Sequence, residues 1–204
     1  MVAQEDQTRR HLSVEEWREL LRTSGVKYEY SNGWVYAMAG DSLAHATITL
    51  NVQLLLRVAL AGGSCWVHTS DAAVRLSPSE YRFPDATVSC DPGDRPTRGN
   101  TEVLSPRLIM EVLSDSTEKE DRTTKFALYR ACPSVKEYVL VVTEQQSVEV
   151  YRRGEAYWTL QWYGPGEDMV LDSIDVQLAV DQLYQLTDVP LPGANLVDKN
   201  GATP

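Results

Sequence analysis

Leu108-Ile109-Met110-Glu111-Val112-Leu113 is an apolar run broken by one carboxylate. Its length and its content of Leu, Ile and Val read as a buried strand. An ionised Glu in such a strand is costly unless something pairs with it. A second acid, Asp85, ends the turn of the segment Tyr81-Arg82-Phe83-Pro84-Asp85-Ala86-Thr87-Val88, and Lys125 follows on the next helical stretch. Two carboxylates on successive strands, with a lysine arriving behind them, suggest that the missing partner is a divalent metal.

Working outward, Leu12 to Trp17 is a helix start. Ser13 and Glu16 have capping-box spacing, Leu12 can staple onto Trp17, and Gly25 ends the helix. Lys27–Ser31 and Trp34–Met38 flank Asn32-Gly33, which predicts a type I′ hairpin with Glu29 opposite Tyr36. Asp41 or Ser42 caps a second helix running to about Ala61. Its inward stripe is Ile48, Val52, Leu55, Leu56 and Ala59, and His45 shares that face. Strands are expected over Cys65–Leu76, Ala86–Cys90 and Leu108–Leu113, with an exposed loop from Asp91 to Pro106. A helix from Ser114 or Ser116 runs to Ala131, stopped by Pro133. Strands Val135–Val142 and Ser147–Arg152 follow, the latter in a hairpin with Ala156–Trp162. A short strand and a helix, Val180–Gln185, close the domain. The order predicts an α/β fold: a mixed central sheet flanked by helices, with an antiparallel extension. The expected organisation is a flexible N-terminus (1–11), a single domain (12–187) and a loose tail (188–204).

Bulk properties narrow the function. A chain of 204 residues, 43% hydrophobic, can bury one core. No apolar stretch is long enough to span a bilayer, and Met1 to His11 lacks a signal-peptide pattern. Cys65, Cys90 and Cys132 are odd in number and lack CxxC spacing, so the reading is a reduced, cytoplasmic protein without a disulfide framework or structural zinc. The net charge of −10 argues against nucleic-acid binding. Between Arg95 and Lys136, however, eight basic residues face six acids. Arg95, Arg98, Arg107 and Arg122 are the candidates for phosphate contacts.

Lys125, Leu128, Tyr129 and Cys132 fall at helical spacing on one face. If that face packs on the sheet, the Lys125 stem lies along the core and its ammonium reaches the carboxylates. Asp85 and Glu111 offer hard oxygen ligands, which suit Mg²⁺ or Mn²⁺, and the backbone carbonyl of Val112 can complete the set. Such a metal would polarise a phosphate, with Lys125 orienting the attacking water or countering developing charge.

These pieces resemble the PD-(D/E)XK nuclease superfamily and, more narrowly, the Uma-type restriction-endonuclease family of bacteria. The matching residues are Tyr28 to Gly33, His45, Pro84-Asp85, Glu111 to Ser114, Asp121-Arg122 through Lys125 to Tyr129, and Glu137-Tyr138. The resemblance implies a restriction-endonuclease-like fold and a metal-dependent DNA endonuclease. In it Asp85 and Glu111 hold the ion, and Glu29 and His45 are peripheral site members. One departure stands out. The superfamily places a lysine two residues after the acid, where this chain has Leu113, so Lys125 is the candidate replacement.

Blander readings stand beside these. Pro84-Asp85 can be an ordinary turn, Glu111 and Lys125 a buried salt bridge, and His45 a histidine satisfied by a nearby carbonyl. Glu29 can be only a cross-strand neighbour of Tyr36. The corresponding alternatives to a nuclease are a non-catalytic binding or assembly module and a small phosphodiester hydrolase. Edge strands and C-terminal aromatics make a homodimer the expected assembly.

Overall fold

The computed structural model describes residues 11–38, 40–114 and 117–193. Within them lie helices α1 (Val14–Ser24), α2 (Leu43–Ala59), α3 (Glu118–Glu120), α4 (Phe126–Ala131) and α5 (Val180–Leu183). A π-helical turn, Asp121–Lys125, joins α3 to α4 without a break. The strands are β1 (Tyr28–Ser31), β2 (Trp34–Ala37), β3 (Trp66–Thr69), β4 (Ala73–Ser77), β5 (Glu80–Arg82), β6 (Ala86–Ser89) and β7 (Glu102–Val103). They continue with β8 (Leu108–Val112), β9 (Glu137–Val142), β10 (Ser147–Arg153), β11 (Trp158–Tyr163), β12 (Asp168–Leu171) and β13 (Val176–Ala179).

Six strands form the central sheet in the order β11-β10-β9-β8-β6-β3. Only β8 and β9 run parallel; the other pairs are antiparallel, so the sheet is mixed. Side chains of β8 alternate between its faces. Met110 and Val112 pack with Ile48, Val52 and Leu56 of α2, together with β12, β13 and α5. Ile109 and Leu113 pack on the other face with Tyr129, Tyr138 and Leu140, beneath α4. The α/β sandwich expected from the sequence is therefore present.

A second sheet, β2-β1-β5-β4-β7, carries α1 on a cluster of Trp17, Tyr30, Tyr81 and Phe83. The Ser13/Glu16 capping box and left-handed Gly25 bound α1 as expected. The β1–β2 hairpin turns on Asn32 and Gly33, both at positive φ, and sets Glu29 opposite Tyr36. This sheet was not anticipated. The stretch read as one strand over Cys65–Leu76 breaks after Thr69, and its halves join different sheets as β3 and β4. A local apolar pattern cannot reveal such a switch, because both halves are half-buried and β-rich.

Other expectations are corrected. Ala59 is exposed rather than inward. A further strand precedes α5, so β12 and β13 make a hairpin. Asp94, in the loop expected to be exposed, is buried and accepts from Ser89 Oγ and the Leu104 and Ser105 amides. Val189 is buried and the Pro190 carbonyl accepts from Gln146, so the chain stays packed past Asp188. The segments 1–10 and 194–204 lie outside the described residues.

The expectation of no disulfide is also overturned: Cys65 and Cys90 form one across a separation of 25 residues. Trp66 pairs with Ser89 in the β3–β6 ladder, which leaves Cys65 and Cys90 opposite one another. Cysteine count and local spacing carry no information about such cross-strand neighbours. Cys132 is free and buried. Among the described residues no helix is long and apolar enough to cross a membrane.

Candidate active site

The β6–β8 register pairs Ala86 with Met110. In an antiparallel pair the preceding residue, Asp85, then falls beside the following one, Glu111. The contacts are direct. The Asp85 amide donates to Glu111 Oε2 at 3.3 Å, and the Val112 amide donates to Asp85 Oδ2 at 2.8 Å. From α2, Gln53 Nε2 donates to the Asp85 carbonyl at 2.8 Å and fixes the turn against the helix.

The two faces of the sheet each deliver a basic side chain. His45, one turn into α2, brings Nε2 to 3.4 Å from Asp85 Oδ2, and its ring also bonds the Val112 backbone. Burial disfavours a charged imidazole here. The Asp85 carboxylate, Asp41 and the Val112 carbonyl outweigh it, so the His45 pKa is raised. From the opposite face Lys125 Nζ reaches Glu111 Oε1 at 3.2 Å and Asp121 Oδ1 at 2.7 Å. Tyr129 donates to the same Glu111 Oε1 at 2.7 Å.

Glu111 is fully enclosed, its side chain only 4% exposed. Burial pushes its pKa up to about 8; Asp85 and Asp121 add to the rise, while Lys125 and Tyr129 oppose it. Lys125 is also buried, which favours its neutral form, but Glu111, Glu29 and Asp121 reverse that and hold it protonated. Tyr129 is raised well above the usual phenol range by burial and by the Glu111 charge, so it remains a donor. The Lys125 placement follows the helical stripe read from the sequence: Lys125, Tyr129 and Cys132 are all buried.

The structure thus brings Asp85, Glu111, Val112, His45 and Lys125 together. Glu29 reaches the site from β1 of the second sheet. Its Oε2 is 3.6 Å from Arg82 Nε, and Arg82 also reaches Glu80 at 3.1 Å. All three charged side chains of that network are buried. Glu29 faces Lys125 through its field. The Val112 carbonyl lies beside the His45 ring at the same strand end.

Arg107 precedes β8, at the strand end opposite Glu111, and Arg95 and Arg98 lie in the loop that follows β6. Arg107 donates to the Ser173 carbonyl. Arg122 is engaged by Glu118 and Glu149. A cleft of about 530 Å³ opens beside Asp85 and His45, and its basic lining residue is Lys27, paired with Asp71. Sequence reasoning missed Lys27 and also Asp121, although Asp121 stood four residues before Lys125 on the same helical stripe.

Two carboxylates with hard oxygens, crowded enough that burial and mutual repulsion raise Glu111, fit a hard divalent cation. Among the described residues no group of three or more His, Cys, Asp or Glu side chains is arranged to hold a metal. A Mg²⁺ site needs only one or two carboxylates, the rest of its shell being water and substrate oxygens.

The sequence model of the Uma2 family, described as "Putative restriction endonuclease", matches residues 14–181. Two proteins of Synechocystis sp. are similar in sequence. "Uncharacterized protein slr1290" is 34% identical over 176 residues, spanning 85% of this chain and 92% of the relative. "Uncharacterized protein sll1609" is 30% identical over 155 residues, spanning 75% and 88%. In structure the chain resembles a protein of Anabaena variabilis titled "putative nuclease belonging to DUF820", with a TM-score of 0.65 at 14% identity. The likeness covers 82% of this chain and 96% of that one and speaks for the shared fold. The match from the start of α1 into α5 places this chain in the Uma2 family.

Proposed function

We propose that the chain is a Mg²⁺- or Mn²⁺-dependent endonuclease hydrolysing DNA phosphodiester bonds, with Asp85 and Glu111 as metal ligands and Lys125 as the catalytic cation. The observation that carries this reading is the meeting of Asp85, Glu111 and Lys125 at one sheet end. When bound, the ion supplies Lewis-acid polarisation of a phosphate oxygen.

The protein's own residues do the remaining work. Asp85 and Glu111 would hold the ion; the amides of Val112 and Asp85 fix their orientation. Tyr129 and Lys125 occupy Glu111 Oε1, which leaves Oε2 turned toward Asp85. Lys125 stays protonated, so it acts as a fixed positive charge that orients water or offsets charge developing on the phosphate, rather than as a base. His45 closes the α2 side and donates to Asp85. Lys27 in the cleft is positioned to meet a substrate phosphate on leaving Asp71. Arg107 could meet only a substrate long enough to run to the far end of β8.

Plasmid nicking with Mn²⁺ tests the reading, and Asp85→Ala, Glu111→Gln and Lys125→Met should each abolish it. Equal cleavage by wild type and Asp85→Ala would overturn the assignment. A nucleotide phosphodiester assayed in parallel separates an endonuclease from a small-substrate hydrolase.

A non-catalytic module is the second reading, favoured by one observation. Glu111 already receives Lys125, Tyr129 and the Asp85 amide, a complete set of donors for a structural carboxylate. A homodimer fits either reading: β11 is an edge strand bearing exposed Trp162, and α2 exposes Leu50, Leu54 and Val58. Light scattering on the purified chain measures it.

A further inference from the structure

Asp121 lies in the same π-helical turn as Lys125, and both are buried. Its side chain is 1% exposed and its Oδ1 forms an ion pair with the Lys125 ammonium at 2.7 Å, closer than the hydrogen-bonded Glu111 Oε1 at 3.2 Å although outside hydrogen-bond geometry. A buried carboxylate is tolerated when a cation answers it, and here the answering cation is the one that serves the site. The turn itself is held: the Tyr138 hydroxyl donates to the Asp121 backbone carbonyl at 3.1 Å, and Tyr138 is buried in β9. A π-turn inside a helix is an uncommon conformation that recurs at functional sites, and this one spans Asp121 to Lys125.

We propose that Asp121 is a positioning residue that clamps the Lys125 ammonium against Glu111 from within the π-turn. Resting on the proposed role of Lys125 in hydrolysis, the inference assigns its placement to Asp121 rather than to Glu111. A lysine on a four-carbon stem has many rotamers, and one hydrogen bond to Glu111 would leave it free to leave whenever Glu111 turns to an ion. With Asp121 as its anchor, Lys125 keeps its place while Glu111 engages another partner. Catalytic positioning of this kind is sensitive to displacements of about 1 Å.

The test is the ¹⁵N resonance of the Lys125 ammonium in the metal-free full-length chain, identified by its loss in Lys125→Met. Slow proton exchange makes an anchored ammonium visible. It should persist in Glu111→Gln and vanish in Asp121→Asn, with recovery in Asp121→Glu. Loss in Glu111→Gln, or persistence in Asp121→Asn, overturns the proposal. The Glu111→Gln arm decides even if Asp121→Asn does not fold. In plasmid nicking, Asp121→Asn should lower kcat on the order of 100-fold with KM unchanged, and a fall in KM-linked binding alone would contradict the assignment. Because the resonance needs no activity, failure of the nuclease reading leaves this inference separately testable.

Discussion

Tyr129 and Lys125, one helical turn apart, converge on a single oxygen of Glu111: the phenol at 2.7 Å and the ammonium at 3.2 Å from Oε1. One oxygen is therefore saturated by the helix while the other faces Asp85. Tyr129→Phe removes one donor and leaves a buried carboxyl oxygen under-bonded. The expected loss is about 1–3 kcal/mol of unfolding free energy, read by urea denaturation.

Protonation of Glu111 links stability to pH. Its pKa is pushed from 4.5 up to about 8 on folding. The unfolded chain therefore gives up that proton first, and the contribution of Glu111 is fully present below about 4.5. It is lost as pH rises through about 8. The melting temperature of the metal-free protein should fall across that window, and Glu111→Gln should flatten the fall. A cation competes with the same proton, so the Mn²⁺-induced rise in melting temperature should be larger at pH 8.5 than at pH 6. Thermal scans with chelator or Mn²⁺ at the two pH values measure both effects.

How much of this was legible in the chain depended on the range of the signal. Glu111 declared itself because a carboxylate contradicts the apolar run around it, and Lys125 because helical spacing tied it to Tyr129. The capping box and the Asn32-Gly33 hairpin are local motifs and read directly. The switch of β3 and β4 into different sheets is a long-range matter, as is the placement of the arginines. Arg107 lies four residues before Glu111 in sequence, yet strand geometry carries the two apart by about 13 Å. Asp121 stayed hidden among the charges of its helix because burial, not composition, distinguishes it.

The Cys65–Cys90 disulfide ties β3 to β6, the strand entered through Asp85. Closing a loop of 25 residues restricts the unfolded chain, and its removal by Cys65→Ser with Cys90→Ser should cost about 3 kcal/mol. Denaturation of the oxidised protein against this double variant checks the value.

Arg82 joins Glu29 and Glu80 in the second sheet, and all three are buried. Arg82→Met strands two carboxylates and should destabilise the fold by about 3–5 kcal/mol. Adding Glu80→Gln to that variant should recover part of the loss, since the network interacts as a unit. A double-mutant cycle by chemical denaturation gives the coupling.

The most direct trial of the account is a calorimetric titration of Mn²⁺ into the metal-free protein and its Asp85→Asn and Glu111→Gln variants. One bound ion in the wild type, abolished by either substitution while the thermal unfolding stays cooperative, is the result expected. Absent binding in the wild type, or binding that survives both substitutions, would show that these acids only brace the sheet end.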